Sequence, residues 1–148
     1  MRSGGHVLVR RARPGDEAEV ARFRLAFDFD VLEDETRRFL ADKRHHLLLG
    51  YVDEAPAGFL SAVEVFHPDK RPELFLNEIA VIPEMRRRGV GRALIDELGR
   101  LGRERGCVNI WALTDEANTP AMRMYASAGG RWDGSYQVMF EYDLLGGT

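Results

Sequence analysis

Between positions 86 and 93 the chain reads Arg86-Arg87-Arg88-Gly89-Val90-Gly91-Arg92-Ala93. The run lies between a strand pattern that stops at Ile82-Pro83-Glu84, where proline cannot donate to a ladder, and a helical pattern carried by Val90, Ala93, Leu94, Leu98 and Leu101. The first N–H groups of a helix have no partner inside it and point at whatever occupies its N-terminal end. Gly89 and Gly91 remove side chains that would keep an oxyanion away, and glycine takes positive φ at little cost. One such anion contact is worth roughly 0.3 to 1 kcal/mol, up to about 2 when partly buried, so several amides together can hold a diphosphate. The arginines add charge. A P-loop would need Gly-Lys-Ser/Thr after Gly91, and none follows; a Rossmann fingerprint would follow the first strand, whereas this turn follows the fourth. ATP and NAD are therefore disfavoured. The competing reading is a plain helix start, with glycines for packing and arginines in solvent.

A second chemical feature is acidic. Five of the eight residues from Asp28 to Glu35 are carboxylates (Asp28, Asp30, Glu33, Asp34, Glu35), with no base among them. Packed like charges repel unless a cation or solvent relieves them. The cluster is either a solvated helix junction or a surface for a polycation, with Asp28, Asp30, Glu33 and Asp34 meeting ammonium groups. Over the whole chain 21 basic residues face 24 acidic ones, a net charge of −3, which argues against a nucleic-acid partner. One cysteine, Cys107, forbids an internal disulfide, and four scattered histidines give no zinc-ligand spacing, so no metal is expected. No apolar run approaches the roughly 20 residues of a membrane helix. Met1 to His6 has no export pattern, which makes a cytoplasmic protein the default.

The elements that must position these residues follow from periodicity. Strands are expected at His6–Arg10, Leu47–Val52, Ala57–Phe66, Glu73–Val81, Cys107–Leu113 and Ser135–Leu144. Helices are expected from an Asp16 cap through Leu25, over Glu33–Lys43, over Gly89–Arg105 and from Asn118 or Thr119 to about Ala128, the last two stopped by Gly106 and Gly129-Gly130. Gly146-Gly147-Thr148 reads as a loose tail. The chain of 148 residues suits one domain, residues 1–148, of mixed α/β (α+β) class: an antiparallel meander feeds two crossover helices on a sheet covered on both faces.

Three motifs in order carry a resemblance. Asn77-Glu78-Ile79-Ala80-Val81, Arg86-x-x-Gly89-x-Gly91 and Asn118-x-x-Ala121-x-x-x-Tyr125-x-x-x-Gly129 are similar to those of the GCN5-related N-acetyltransferases, over most of the chain. Within that superfamily, Phe27-Asp28-Phe29-Asp30, the run Pro72 to Val81 and Thr119-Pro120-Ala121 most resemble the aminoglycoside 3-N-acetyltransferases of type I. The resemblance implies a mostly antiparallel sheet of about six or seven strands flanked by about four helices, with acetyl-CoA as cofactor. It implies that Arg86, Arg87, Arg88, Gly89, Val90, Gly91, Arg92 and Ala93 hold the diphosphate, and that main-chain groups of Ile79, Ala80 and Val81 hold the pantetheine arm where two strands splay apart. Asn118 and Ala121 would border the same arm, unless Asn118 only caps its helix.

Acetyl transfer to an amine asks for a base near the acceptor, a polarised carbonyl and a proton for the departing thiolate. Glu78 is the expected base, at a position where the resembled enzymes commonly carry Asp; Glu73 is a weaker candidate. Tyr125 is the expected acid, seven residues after Asn118 and on the same helical face. Cys107 and the two tryptophans, Trp111 and Trp132, read as packing residues, and His45-His46 as surface at a strand entry. His67 lies in a loop near the expected acceptor site. The acceptor implied is an aminoglycoside at its 3-amino group; a protein amine or polyamine, or a non-catalytic acyl-CoA-binding module, are the alternatives. The apolar last strand could meet a second chain, so a homodimer is an open expectation.

Overall fold

The computed structural model describes residues 5–146. Residues 1–4 and 147–148, and with them most of the N-terminal segment and the end of the expected tail, lie outside the described residues. Five strands form one sheet in the order β1-β2-β3-β4-β5: β1 (Val7–Arg11), β2 (His45–Val52), β3 (Ala55–Val65), β4 (Glu73–Val81) and β5 (Ile110–Ala112). The first four run antiparallel to their neighbours and β5 runs parallel to β4. Four α-helices accompany them: α1 (Glu17–Ala21), α2 (Glu33–Ala41), α3 (Val90–Glu104) and α4 (Thr119–Ser127).

The period-2 pattern of β2 explains how the sheet holds two layers of helix. Leu47, Leu49 and Tyr51 face one way and Leu48 and Val52 the other, as alternation along a strand demands. The first face packs against Val20 of α1, Phe23, Ala26 and Leu40 of α2; the second packs against Val90, Leu94, Leu98 and Leu101 of α3. The last four recur at helical spacing, and full burial of each leucine contributes about 1.5 to 3 kcal/mol. Two local departures from expectation have simple causes. Asp16 does not cap α1 through its side chain, because its carboxylate accepts from Arg13 N at 2.8 Å and from Arg10 at 3.2 Å instead. The β2–β3 hairpin turns on two residues, Asp53 and Glu54, both with positive φ, the geometry that matches strand twist.

The C-terminal third differs most. The expected strand Cys107–Leu113 shrinks to Ile110–Ala112, and the expected strand Ser135–Leu144 makes no ladder among the described residues. The sheet therefore has five strands here rather than six or seven. The alternation of residues 135–144 is that of a strand, but a strand exists only where an edge accepts it, and among the described residues no edge pairs with this segment.

Candidate active site

β4 and β5 pair only through Leu74–Ile110, Phe75–Trp111 and Leu76–Ala112, after which they part. A cleft of about 260 Å³ opens where they diverge, lined by Asn77, Glu78, Ile79 and Ala80 on one side and Leu113 and Thr114 on the other. The divergence coincides with a bulge. Ser61 opposes Glu78 but its neighbour Ala62 opposes Leu76, so Asn77 is the extra residue on β4. A bulge bends its strand and re-aims side chains, and here both Asn77 and Glu78 face the cleft. The buried Ser61 donates its hydroxyl proton to Glu78 Oε1 at 3.3 Å.

Helix α4 closes the cleft's far wall with Asn118, Ala121, Met124 and Tyr125. Asn118 lies at the helix's N-terminus, where its Oδ1 accepts from Ala121 N at 3.2 Å; it caps and lines the cleft at once. Tyr125, one face and two turns along, is half-buried. Loss of solvent around its phenol raises its pKa above the ordinary tyrosine value, which keeps the proton on the oxygen at neutral pH. Glu73, the weaker candidate base, lies at the other end of β4. It accepts from Asn109 at 2.9 Å and meets His67 at 2.8 Å, and the Asn109 hydrogen bond leads the effects that hold its carboxyl below the usual range. Glu73 and His67 thus occupy each other, away from the cleft lining.

The glycine turn leads directly into α3. Gly89 adopts φ 86°, a left-handed conformation that side chains resist, and directly precedes α3. Ala93 is the first residue to bond back, its N–H donating to Gly89 O at 3.0 Å. The amides of Gly89, Val90, Gly91 and Arg92 have no acceptor inside the helix, whereas Ala93, expected among the diphosphate ligands, spends its N–H there. Gly91 lies against Met124 of α4: a Cβ at this position would collide with the Met124 sulfur, so the turn and the Tyr125 helix meet through glycine. Arg86 and Arg87 are exposed with Arg88 beside the turn, and Arg92 lies 4.0 Å from Asp96. Val81 remains in the ladder opposite Gly58.

The acidic segment is divided. Asp28 lines the cleft together with Ala26, held there because Phe27 stacks its ring on Phe59 at 4.0 Å between centroids. Asp30 is exposed and outside the lining. Glu33 and Asp34 begin α2 and both meet Arg37, at 2.9 and 2.8 Å. Repulsion among the carboxylates is thus relieved from four and three residues downstream, a pairing the segment alone did not reveal. Sequence reasoning also missed His46, which is no surface residue: it bonds Glu64 at 2.7 Å, and Glu64, almost wholly buried, also accepts from Arg105 Nε at 2.6 Å.

Residues 16–129 match the acetyltransferase (GNAT) family model, which takes in the diverging strands, the glycine turn and α4. The chain belongs to the GNAT acetyltransferase family. Among curated relatives, the streptothricin acetyltransferase of Streptomyces lavendulae is 29% identical over 101 residues, 68% of this chain and 51% of that protein. The aminoglycoside N(6′)-acetyltransferase type 1 of Salmonella typhimurium is 34% identical over 61 residues, 41% of this chain and 42% of its own length. The chain thus spans about half or less of the curated relatives it matches. Among solved structures, the aminoglycoside N-acetyltransferase AAC(6′)-Iy in complex with CoA has a TM-score of 0.78 at 22% identity, covering 97% of this chain and 99% of that one; it shares the fold. GNAT acetyltransferases use acetyl-CoA, and the uncapped amides at Gly89–Arg92 and the parted strands suit its diphosphate and its arm.

Proposed function

We propose that this protein is an acetyl-CoA-dependent N-acetyltransferase whose acceptor is an amine of an aminoglycoside. The observation that carries the reading is the meeting of Glu78 and Tyr125, one from β4 and one from α4, in a single cleft beside the glycine turn. Acetyl-CoA, when bound, supplies an acyl thioester and a thiol leaving group. Glu78 takes a proton from the acceptor amine as its nitrogen forms the new bond to the acyl carbon. Tyr125 gives its phenolic proton to the sulfur as the carbon–sulfur bond breaks. The main chain of Ile79, Ala80 and Val81 aligns the arm, and an N–H at Ile79 or Ala80 polarises the thioester carbonyl. Arg86, Arg87, Arg88, Gly89, Val90, Gly91 and Arg92 hold the diphosphate, with Asn118 and Ala121 bordering the arm.

Asp28 meets an ammonium group of the acceptor inside the cleft, with Asp30 next in reach. Glu33 and Asp34 act at a distance, since Arg37 already neutralises much of their charge. The motifs favour the 3-amino position; the relative of 34% identity carries a 6′ name, which makes the 6′-amino group the rival. A cytoplasmic enzyme working as a homodimer completes the reading. The test is thiol release from acetyl-CoA against aminoglycosides, polyamines and peptides, with the acetylated position read by NMR. Saturable turnover of aminoglycosides is expected. Saturation by peptides or polyamines alone would move the acceptor. Coenzyme binding without turnover of any amine would leave an acyl-CoA-binding module.

A further inference from the structure

The two glycines of the turn before α3 are glycines for different reasons. Gly89 has φ 86°, and a Cβ placed on it meets nothing within 4 Å, so the conformation of the chain alone demands glycine there. Gly91 is under no such demand. It lies in the first turn of α3, is not among the residues of positive φ, and is buried. Alanine suits a helix better than glycine, so something outside the helix excludes it. A Cβ on Gly91 would collide with Met124 Sδ, come within 3.1 Å of Met124 Cγ and reach Val81 Cγ2 at 4.0 Å. The atoms nearest the missing side chain all belong to α4 and β4, so clearing space for an oxyanion is not what its absence provides at this position.

Helix α4 is lightly held. None of its residues is buried, and the segment after it joins no ladder among the described residues. Tyr125 packs against the core cluster that contains Leu94, Leu98 and Leu101, and its neighbour Met124 closes on Gly91. Met124 also lines the cleft together with Asn118 and Tyr125. An unbranched thioether fills an irregular gap well, and a bare Cα on the facing helix lets it pack without a void. One side chain therefore touches both the first turn of α3 and the cleft.

We infer that Met124 is a positioning residue: seated on the bare Cα of Gly91, it fixes α4, and with it Tyr125, against the turn whose free amides take the diphosphate. Residue 91 is glycine in order to admit Met124. A side chain at 91 drives the thioether out of its seat and into the cleft, where it narrows the space for the coenzyme's arm. What this says of proton delivery rests on the reading of Tyr125 as the acid. The seat itself does not, because it is packing between two helices.

A mutant cycle read by coenzyme binding tests the seat. Gly91→Ala is expected to weaken CoA binding about tenfold by calorimetry when residue 124 is methionine, and less than about twofold when Met124→Ala accompanies it. An equal penalty in both backgrounds, or no penalty beside methionine, would overturn the proposal. If Gly91→Ala does not fold, the double variant decides: recovery of the far-UV circular dichroism is expected, and its absence counts against the seat. Met124→Ala alone is expected to lower kcat about tenfold while CoA affinity stays within about twofold, and to speed hydrogen exchange of the α4 amides; Met124→Leu, of similar volume, should restore both. Parental kcat or parental exchange in Met124→Ala sinks the positioning role. CoA binding without turnover of any amine would fail the acceptor reading instead, and the cycle and the exchange, which need no acceptor, would still decide the seat.

Discussion

Ser61 on β3 and Glu78 on β4 face each other across the ladder and share a hydrogen bond of 3.3 Å, one step before Asn77 bulges out. The serine is buried and the glutamate is open to the cleft, so a fixed donor steers a group that faces the cleft. If Glu78 is the base, Glu78→Gln keeps the shape and loses the proton acceptor. Its kcat should fall by about 10²- to 10⁴-fold, with acetyl-CoA affinity by calorimetry unchanged. Ser61→Ala should cost only about fivefold in kcat, the equivalent of about 1 kcal/mol, and Ser61→Thr should restore it. A Glu78→Gln protein as fast as the parent would remove Glu78 from the chemistry.

Tyr125 is expected to act with its proton on. Burial raises its pKa, so the rate should hold through neutral and mildly alkaline pH and decline only above the ordinary tyrosine value of about 10. Tyr125→Phe should lower kcat by at least about tenfold and abolish that alkaline limb, while leaving the coenzyme's dissociation constant in place. A pH–rate profile of both proteins decides; an unchanged limb in the phenylalanine variant assigns it to another group.

Much of this site was legible because its signals are local. Glu73–Val81 is a strand with the bounds that alternation predicted, and Gly89 does precede a helix with a left-handed φ. Asn118 and Tyr125 share the cleft because two turns of helix bring them to one face. What was illegible depended on distant partners. His46 looks like any strand-entry histidine until Glu64 and Arg105 are folded around it, and Glu33 and Asp34 look like free charges until α2 places Arg37 one turn away. The alternation of residues 135–144 shows a strand's preference, yet pairing is a property of two strands, and among the described residues this segment joins no ladder.

His46 should make stability depend on pH. Burial lowers its pKa, the bond to Glu64 works against that shift, and the charges of Arg105 and Arg11 add to it. The unfolded chain, with an ordinary histidine pKa of about 6.5, therefore takes up a proton before the folded chain does. Stability from this residue is complete above about pH 6.5 and is lost as pH falls from there to the folded value. Denaturant midpoints across that range should fall more steeply for the parent than for His46→Gln. Equal slopes would mean that other groups set the acid limb.

Asp28 and the pair Glu33–Asp34 make a contrast that tests how the acceptor is held. Asp28 is exposed like Glu33 and Asp34 but lines the cleft, next to the stack of Phe27 on Phe59, so an acceptor seated in the cleft would bring an ammonium group onto it as a charge-assisted hydrogen bond, which contributes about 1.5 to 3 kcal/mol. Glu33 and Asp34 are exposed and share Arg37, and solvent-screened charges of that kind contribute about 0 to 1 kcal/mol. Asp28→Asn should therefore raise KM for an aminoglycoside by roughly tenfold or more, with kcat little changed. Glu33→Gln and Asp34→Asn should raise it by less than about threefold, an effect that disappears in high salt. Steady-state kinetics at two ionic strengths measure both. Equal sensitivity at all three positions would place the acceptor along the face of α2 instead of in the cleft, and the base would then have to be sought away from Glu78.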